Sequence, residues 1–271
     1  MAELRKPRFS AERWGFLLAL LIAAITWFPE TDEATSLYLP LILNGPVCGP
    51  AFTQTGGFTD DEQILFGSPG IEHTCQYGFG GNDLQYVETD EGDDTLYQDG
   101  GAGNDAQTAI SGSGNDSIIQ YGGEGNDQMF GYGGDGDKSI YQNGGLGDDN
   151  MEISGGPGGG HLTQIGGLGN DKLTMAGGNG NDTITIDTED GNDTITYTVT
   201  AGTDVVQIDG GSGYDTLTVN KAGQNNFKIL DGGGQVLYQM GQGGTTITVV
   251  NVEYGVVLGD SGETLFQWDA S

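Results

Sequence analysis

Apolar and polar residues alternate along most of this chain, in short runs that return at a fixed spacing. Thr183-Ile184-Thr185-Ile186-Asp187 and Thr194-Ile195-Thr196-Tyr197-Thr198 alternate with a period of two, the pattern of a strand with one buried face. A stretch rich in Gly, Asn and Asp precedes each run. With Gly122–Tyr132 (GGEGNDQMFGY) as the reference unit and Gly122 at position one, the pattern recurs every eleven residues from Gly56 to Asn220, fifteen units without insertion or deletion. Positions seven to eleven predict a five-residue strand with positions eight and ten facing inward. Positions one to six predict a tight loop. Position four is Gly in fourteen units, with Thr59 the exception, and positions one and two are a Gly pair in nine. Such a loop needs positive φ angles, which Gly adopts freely and Asn tolerates.

The true period is twice eleven. Gln76, Gln98, Gln120, Gln142 and Gln164 occupy position ten of every second unit, where the units between carry Val87, Ala109, Gly131, Ile153 and Met175. At position eight the odd units begin Gln63, Gln85, Gln107, while even units have Leu96, Ile118, Ile140 and Leu162. Two units therefore make one coil, with two facing strands and two loops. The expected fold is all-β: a parallel β-roll or β-solenoid, two 11-residue repeats per 22-residue coil, with a C-terminal β cap. Fifteen units predict seven and a half coils, roughly 36 Å long at ~4.8 Å per coil. The glutamines are expected inside, bonded along the axis as stacked amides, with those of the two walls meeting across the interior.

Flanking segments complete the division. Arg5, Lys6, Arg8 and Arg13 precede a 14-residue apolar run, Gly15–Phe28, so residues 1–28 read as a signal peptide or N-terminal anchor. Residues 29–55 read as a linker or N-terminal cap containing the apolar patch Leu37–Leu43. Residues 56–220 are the repeats. Residues 221–271 lose the period but keep β-rich runs (Gly234–Met240, Thr245–Glu253, Tyr254–Leu258) and read as the cap over the last coil. Cys48 and Cys75 permit one disulfide, which would pin the pre-repeat segment to the first coil. No membrane span is expected beyond the N-terminal signal or anchor.

Charge adds the chemistry. The 271 residues hold 39 acidic side chains against 8 Lys and Arg, a net charge of −31, and 52 glycines. Gly is costly to order, and such a charge repels itself in any compact state. Polyvalent cations would offset the repulsion. Nucleic acid is excluded as a partner, because phosphate contacts need Lys and Arg. The acids are placed: position six is acidic in thirteen units and position five is Asn or Asp in eleven. One loop edge of the roll holds Asp61, Asp83, Asp105, Asp127, Asp149, Asp171, Asp193 and Asp215 without a break. The other holds Glu72, Asp94, Asp116, Asp182 and Asp204, interrupted by Lys138 and Gly160. These two are one coil apart, which predicts a local gap with the Lys138 ammonium partly standing in for an ion. A carboxylate beside inward-turned loop carbonyls is a hard, all-oxygen site suited to Ca²⁺. No His or Cys recurs, so zinc and copper are not expected. The twelve position-six aspartates are the expected metal ligands.

Gly122-Gly123-Glu124-Gly125-Asn126-Asp127-Gln128-Met129-Phe130 fits GGxGxDxUx, with U apolar, at every fixed position, as do Gly166–Thr174 and Gly177–Thr185. In this the chain resembles the RTX, or hemolysin-type, calcium-binding repeat family. The likeness spans about 60% of the chain. It implies a parallel β-roll with several Ca²⁺ ions held between successive turns by position-six aspartates and loop carbonyls. It also implies calcium-induced folding and a secreted, extracellular or cell-surface location. The family's unit is nine residues; eleven lengthens each strand and predicts a wider, flatter section.

The function expected is calcium binding by a structural or adhesive module rather than catalysis. About thirty residues between the apolar run and the first repeat are too few for a catalytic domain. His73 and His161 are the only histidines, and Gly259-Asp260-Ser261-Gly262 reads as a turn, not a nucleophile loop. The Thr-x-Thr pairs Thr183/Thr185, Thr194/Thr196 and Thr216/Thr218 raise an alternative, an ice-binding or self-assembling filament solenoid. A remnant of an RTX toxin or hydrolase ranks below it. Outward aromatics at position nine (Tyr86, Tyr97, Phe130, Tyr141) are expected to stack across coils. They leave open a cell-surface glycan or protein partner, and self-association.

Overall fold

The computed structural model describes residues 53–270. The signal segment, nearly all of the 29–55 linker and Cys48 lie outside the described residues. Within them the chain is all β, without a helix. It winds as a parallel solenoid whose successive coils are 22 residues apart. Strands of the even units form an eleven-stranded sheet, and strands of the odd units a ten-stranded sheet. Gln76 pairs with Gln98 and Gln98 with Gln120 in one; Met129 pairs with Met151 and Met151 with Leu173 in the other.

There are about nine coils rather than seven and a half. Thr53–Thr55 lies parallel to His73–Tyr77 ahead of the first unit. Beyond Asn220, Thr245–Val250 and Tyr254–Leu258 continue both parallel ladders, at register steps of 41 and 38 residues. The longer steps accommodate an inserted pair: Phe227–Asp231 adds in parallel to Thr245–Val250, and Val236–Met240 folds back antiparallel on it. Thr264–Asp269 lies antiparallel on Tyr254–Leu258. Each sheet thus ends in one antiparallel strand. Rings link the two ends: Phe227 to Tyr238 (5.7 Å between centroids), Tyr238 to Phe266 (5.3 Å) and Phe266 to Trp268 (6.0 Å). The Trp268 indole lies over Gly255, where a Cβ would collide with it. Residues 259–262 form a turn closed by the Gly262 N–H on the Gly259 carbonyl (3.0 Å).

Positions eight and ten face inward, as the alternation predicts. Leu96, Ile118, Ile140, Leu162 and Ile184 stack in one wall and Met129, Met151, Leu173 and Ile195 in the other, all buried. Each such side chain contributes about 1.5–3 kcal/mol. The N-terminal coils are lined by amides as well. Gln76, Gln98, Gln120, Gln142 and Gln164 each donate Nε2–H to the Oε1 of the glutamine one coil earlier, at 2.7–2.9 Å, in a column that begins at Gln54. Gln63, Gln85 and Gln107 form a second, shorter column. Amides of the two walls do not bond each other, contrary to expectation. An amide nitrogen has two hydrogens; the second crosses the interior to a backbone carbonyl, as from Gln98 to Thr108 O (3.1 Å) and Gln120 to Phe130 O (3.2 Å).

The loops also correct the sequence reading. Positive φ falls at positions two and four, as at Gly101 (98°) and Gly103 (141°), and not at the position-five Asn. A Cβ on Gly103 would overlap the Gly81 carbonyl of the coil before. Asn at position five serves a ladder: the Asn104 N–H donates to Asn82 Oδ1 (2.8 Å) and the Asn126 N–H to Asn104 Oδ1 (2.7 Å). The edges differ as well. Even-unit strands run on through positions one to three of the next unit, as in Asp116–Glu124, Lys138–Leu146 and Gly160–Leu168. Gly123 therefore pairs with Gly145 and Gly145 with Gly167, so the odd loops are laddered where a free six-residue loop is expected.

On the outer surface Tyr77, Tyr97, Tyr121 and Tyr141 pack in tilted pairs across coils, with centroids 5.4, 5.9 and 5.6 Å apart. Tyr86 packs on Phe66 (5.8 Å) and Phe130 on Tyr132 (6.4 Å). Cys75 is buried and disulfide-bonded.

Candidate metal ladders at the coil edges

Position six is the hinge between loop and strand. Its carboxylate turns back toward the start of its own loop, as Asp105 does toward Gly100. On the odd edge Asp83, Asp105, Asp127, Asp149, Asp171, Asp193 and Asp215 are all buried, and Asp61 at the open end is half-buried. Each Oδ1 accepts the N–H of the position-six residue one coil earlier. The Asp61 N–H reaches Asp83 at 2.7 Å, Asp105 reaches Asp127 at 2.7 Å, and Asp193 reaches Asp215 at 2.8 Å.

The second oxygen is different. Oδ2 of Asp83, Asp105, Asp127, Asp149, Asp171, Asp193 and Asp215 is buried without a hydrogen-bond partner. From Asp83 to Asp171 it lies over the bare face of the position-one glycine. A Cβ at Gly56 would stand 2.7 Å from Asp61 Oδ2 and 2.8 Å from the Gly78 carbonyl of the next coil, and Gly78, Gly100, Gly122 and Gly144 repeat the arrangement more tightly. At these glycines carboxylate and carbonyl oxygens converge on the space a side chain would fill, whereas Thr188 holds position one ahead of Asp193. An unmet buried acceptor costs about 1–3 kcal/mol, and more when charged. Burial accordingly pushes Asp83, Asp127 and Asp149 up to about 7, with a neighbouring aspartate adding to the rise. It pushes Asp105, Asp171 and Asp215 to about 6. Backbone N–H bonds to Oδ1 oppose the shift without cancelling it. A proton or a cation would satisfy these oxygens.

The odd ladder extends one step beyond the repeats. The Asp215 N–H donates to Glu253 Oε2 (2.8 Å), so Glu253 takes position six of the coil after Asn220. The insertion hides it from an eleven-residue search. Its signal is local: Glu253-Tyr254-Gly255-Val256-Val257 has the acid followed by inward Gly255 and Val257.

The even edge is uneven. Oε2 of Glu72 and Oδ2 of Asp94 and Asp182 are unpartnered and buried, and Asp182 is pushed by burial to about 7. Asp116 is fully satisfied. Its Oδ1 accepts the Asp94 N–H (2.9 Å) and its Oδ2 meets Lys138 Nζ at 2.7 Å, with both side chains at most 1% exposed. The same ammonium donates to the carbonyls of Gly114 (2.6 Å), Asp135 (2.7 Å) and, longer, Gly112 (3.4 Å). Gly160 is its neighbour one coil on. Asp204 is satisfied by hydroxyls: Tyr197 (3.1 Å), Thr200 (3.3 Å) and Thr245 (3.3 Å) all donate to Oδ2. Thr245 occupies position six of the following coil, where its Oγ1 accepts the Asp204 N–H (3.2 Å). Tyr197 and Thr245 escape sequence reasoning because one reads as a strand residue and the other lies past the insertion.

Among the described residues no three Asp, Glu, His or Cys side chains gather at one point. The ladders instead bring one or two carboxylates per coil pair beside main-chain carbonyls. Compared with known proteins, the chain matches no family model, no curated protein and no solved structure. The fold and site define a class, a parallel β-solenoid with buried acidic ladders along its edges.

Proposed function

We propose that the odd-edge ladder binds Ca²⁺ ions between successive coils, and that this binding drives the chain to fold. The observation that carries this reading is the unbroken file of buried, unpartnered Oδ2 atoms from Asp83 to Asp215. The Lys138 contacts indicate the ligand set: carbonyls at positions two and four and the carboxylate at position six of one coil, with the position-three carbonyl of the next. Along the odd edge the corresponding groups around Asp105 are those of Gly101, Gly103 and Glu124. All are oxygens, the donor set of a hard cation with flexible geometry. With the even-edge acids included, roughly ten ions would offset most of the net charge of −31. The likeness of the repeat to the RTX family supports the same assignment.

The surrounding biology follows as part of this proposal. A weak oxygen site fills at the ~1 mM calcium outside cells, so the chain would stay expanded until export and fold as a structural or adhesive extracellular or cell-surface module. The ice-binding alternative gains little. Thr194 and Thr196 pair with Thr216 and Thr218, but Lys172 and Tyr254 flank the Thr194–Thr216 row on either side.

The test is far-UV circular dichroism of the full chain, freed of metal and titrated with CaCl₂ or MgCl₂. A cooperative gain of β signal with calcium alone is expected, because Mg²⁺ demands a tighter octahedral shell. Full β signal in chelator, unchanged by calcium, would defeat the reading.

A further inference from the structure

Lys138 is the one position-six residue with a positive charge, and it sits where no lysine should be stable without a reason. Its ammonium is almost wholly enclosed. Burying it is tolerable only because four oxygens receive it: Asp116 Oδ2 and the carbonyls of Gly114, Asp135 and Gly112. Three come from one coil and one from the next. The ammonium therefore bridges two coils through the groups that elsewhere on the edges converge without a partner. Asp116 Oδ2 is satisfied while Oδ2 of Asp94, one coil earlier, is not.

We propose that Lys138 is a resident cation, a covalently tethered substitute for a metal ion at the Asp116 coil pair, so that this pair takes up no Ca²⁺ and is closed at zero calcium. The inference rests on the calcium reading for the ions it displaces, but the tether itself does not depend on metal. Two features extend it. Gly160, next along the edge, offers no carboxylate to a second ion beside the ammonium. At the far end of the same edge the hydroxyls of Tyr197, Thr200 and Thr245 close Asp204 without a cation. On the odd edge no cation stands in from Asp83 to Asp215, and the one hydroxyl at position one, Thr188 beside Asp193, donates to the Gly210 carbonyl at 2.6 Å. The two edges then differ in kind: one demands metal at every step, and the other is pinned at Asp116 and Asp204 by the chain's own groups.

The experiment compares the full-length wild type with Lys138→Asp and Lys138→Met. Bound calcium is counted by native mass spectrometry at saturation, and stability is measured by urea unfolding at fixed calcium. Lys138→Asp restores the acidic pair with Asp116 and is expected to bind one more ion per chain than the wild type. Lys138→Met leaves Asp116 buried and unpaired. The apolar methionine side chain fills the space an ion would need among the four oxygens, so this variant is expected to gain no ion and to lower the folding equilibrium constant by roughly 100-fold or more. Equal ion counts in wild type and Lys138→Asp, both loaded, would overturn the inference while leaving calcium binding intact. A wild type that binds no calcium would overturn the calcium reading and the displaced ion with it. A Lys138→Met chain as stable as the wild type would show that the ammonium closes nothing, whatever the metal content.

Discussion

With calcium chelated, the folded fraction should rise as the pH is lowered from about 8 to about 5. Asp83, Asp127, Asp149 and Asp182 lie at about 7 in the folded chain, and Asp105, Asp171 and Asp215 at about 6, against an ordinary 3.8. Burial is the first cause at every one of them. A group held above its unfolded value binds a proton more tightly when folded. Its contribution is complete below about pH 4 and is lost as the pH rises through the folded values, here between 6 and 7. Above that window seven ionised carboxylates oppose folding unless a cation meets them. Calcium should therefore matter most at neutral and alkaline pH. Protons and calcium each satisfy the same folded sites while the unfolded carboxylates are already ionised, so the calcium concentration for half-folding should rise as the pH rises from 5 to 7 and then level off. Thermal melts in chelator and calcium titrations, each across this range, measure both. A chelated chain no more stable at pH 5 than at pH 8 would mean that the Oδ2 atoms are not enclosed in solution.

Much of this arrangement is legible in the chain before any coordinates. The eleven-residue unit, the doubled period and the two aspartate files follow from counting, because a solenoid places every 22nd residue in register and physical demands at one point recur at the next. Gln76 to Gln164 reveal the coil since a buried amide is satisfied most simply by its own copy one coil away. What is not legible has a common cause: it depends on contacts that break the period. Glu253 and Thr245 continue the two edges, but the inserted pair Phe227–Asp231 and Val236–Met240 shifts them out of phase. Gln54 heads the amide column from outside the first unit. Tyr197 is an inward strand residue whose hydroxyl happens to reach Asp204, a fact of its length and not of its spacing. Position five is ambiguous for a different reason. Asn is both tolerant of positive φ and a good acceptor, and only the register of Asn82, Asn104 and Asn126 shows that the second property is the one used.

The amide columns yield the second large effect, a contrast between two substitutions of the same chemistry. Gln98→Leu interrupts the column. Gln76 Oε1 loses its donor, and one Gln120 N–H loses its acceptor, both in a dry interior. Two new unmet groups at about 1–3 kcal/mol each predict a loss of about 2–4 kcal/mol after the gain from burying leucine. Gln164→Ile shortens the column at its end. The column runs in one direction, with every Nε2 donating to the coil before, so its last member already carries a buried oxygen with no donor. Removing Gln164 moves that unmet oxygen to Gln142 and adds none. The next coil presents Ile186 at the same place, so an isoleucine there extends an existing aliphatic stack. Gln164→Ile should stay within about 1 kcal/mol of the wild type. Urea unfolding at saturating calcium separates the two. Equal losses would mean that each glutamine is held by its cross-strand carbonyl alone, with the axial bonds contributing nothing. A large loss only at Gln98 would establish that the column acts as a directional chain whose cost of interruption depends on where it is cut.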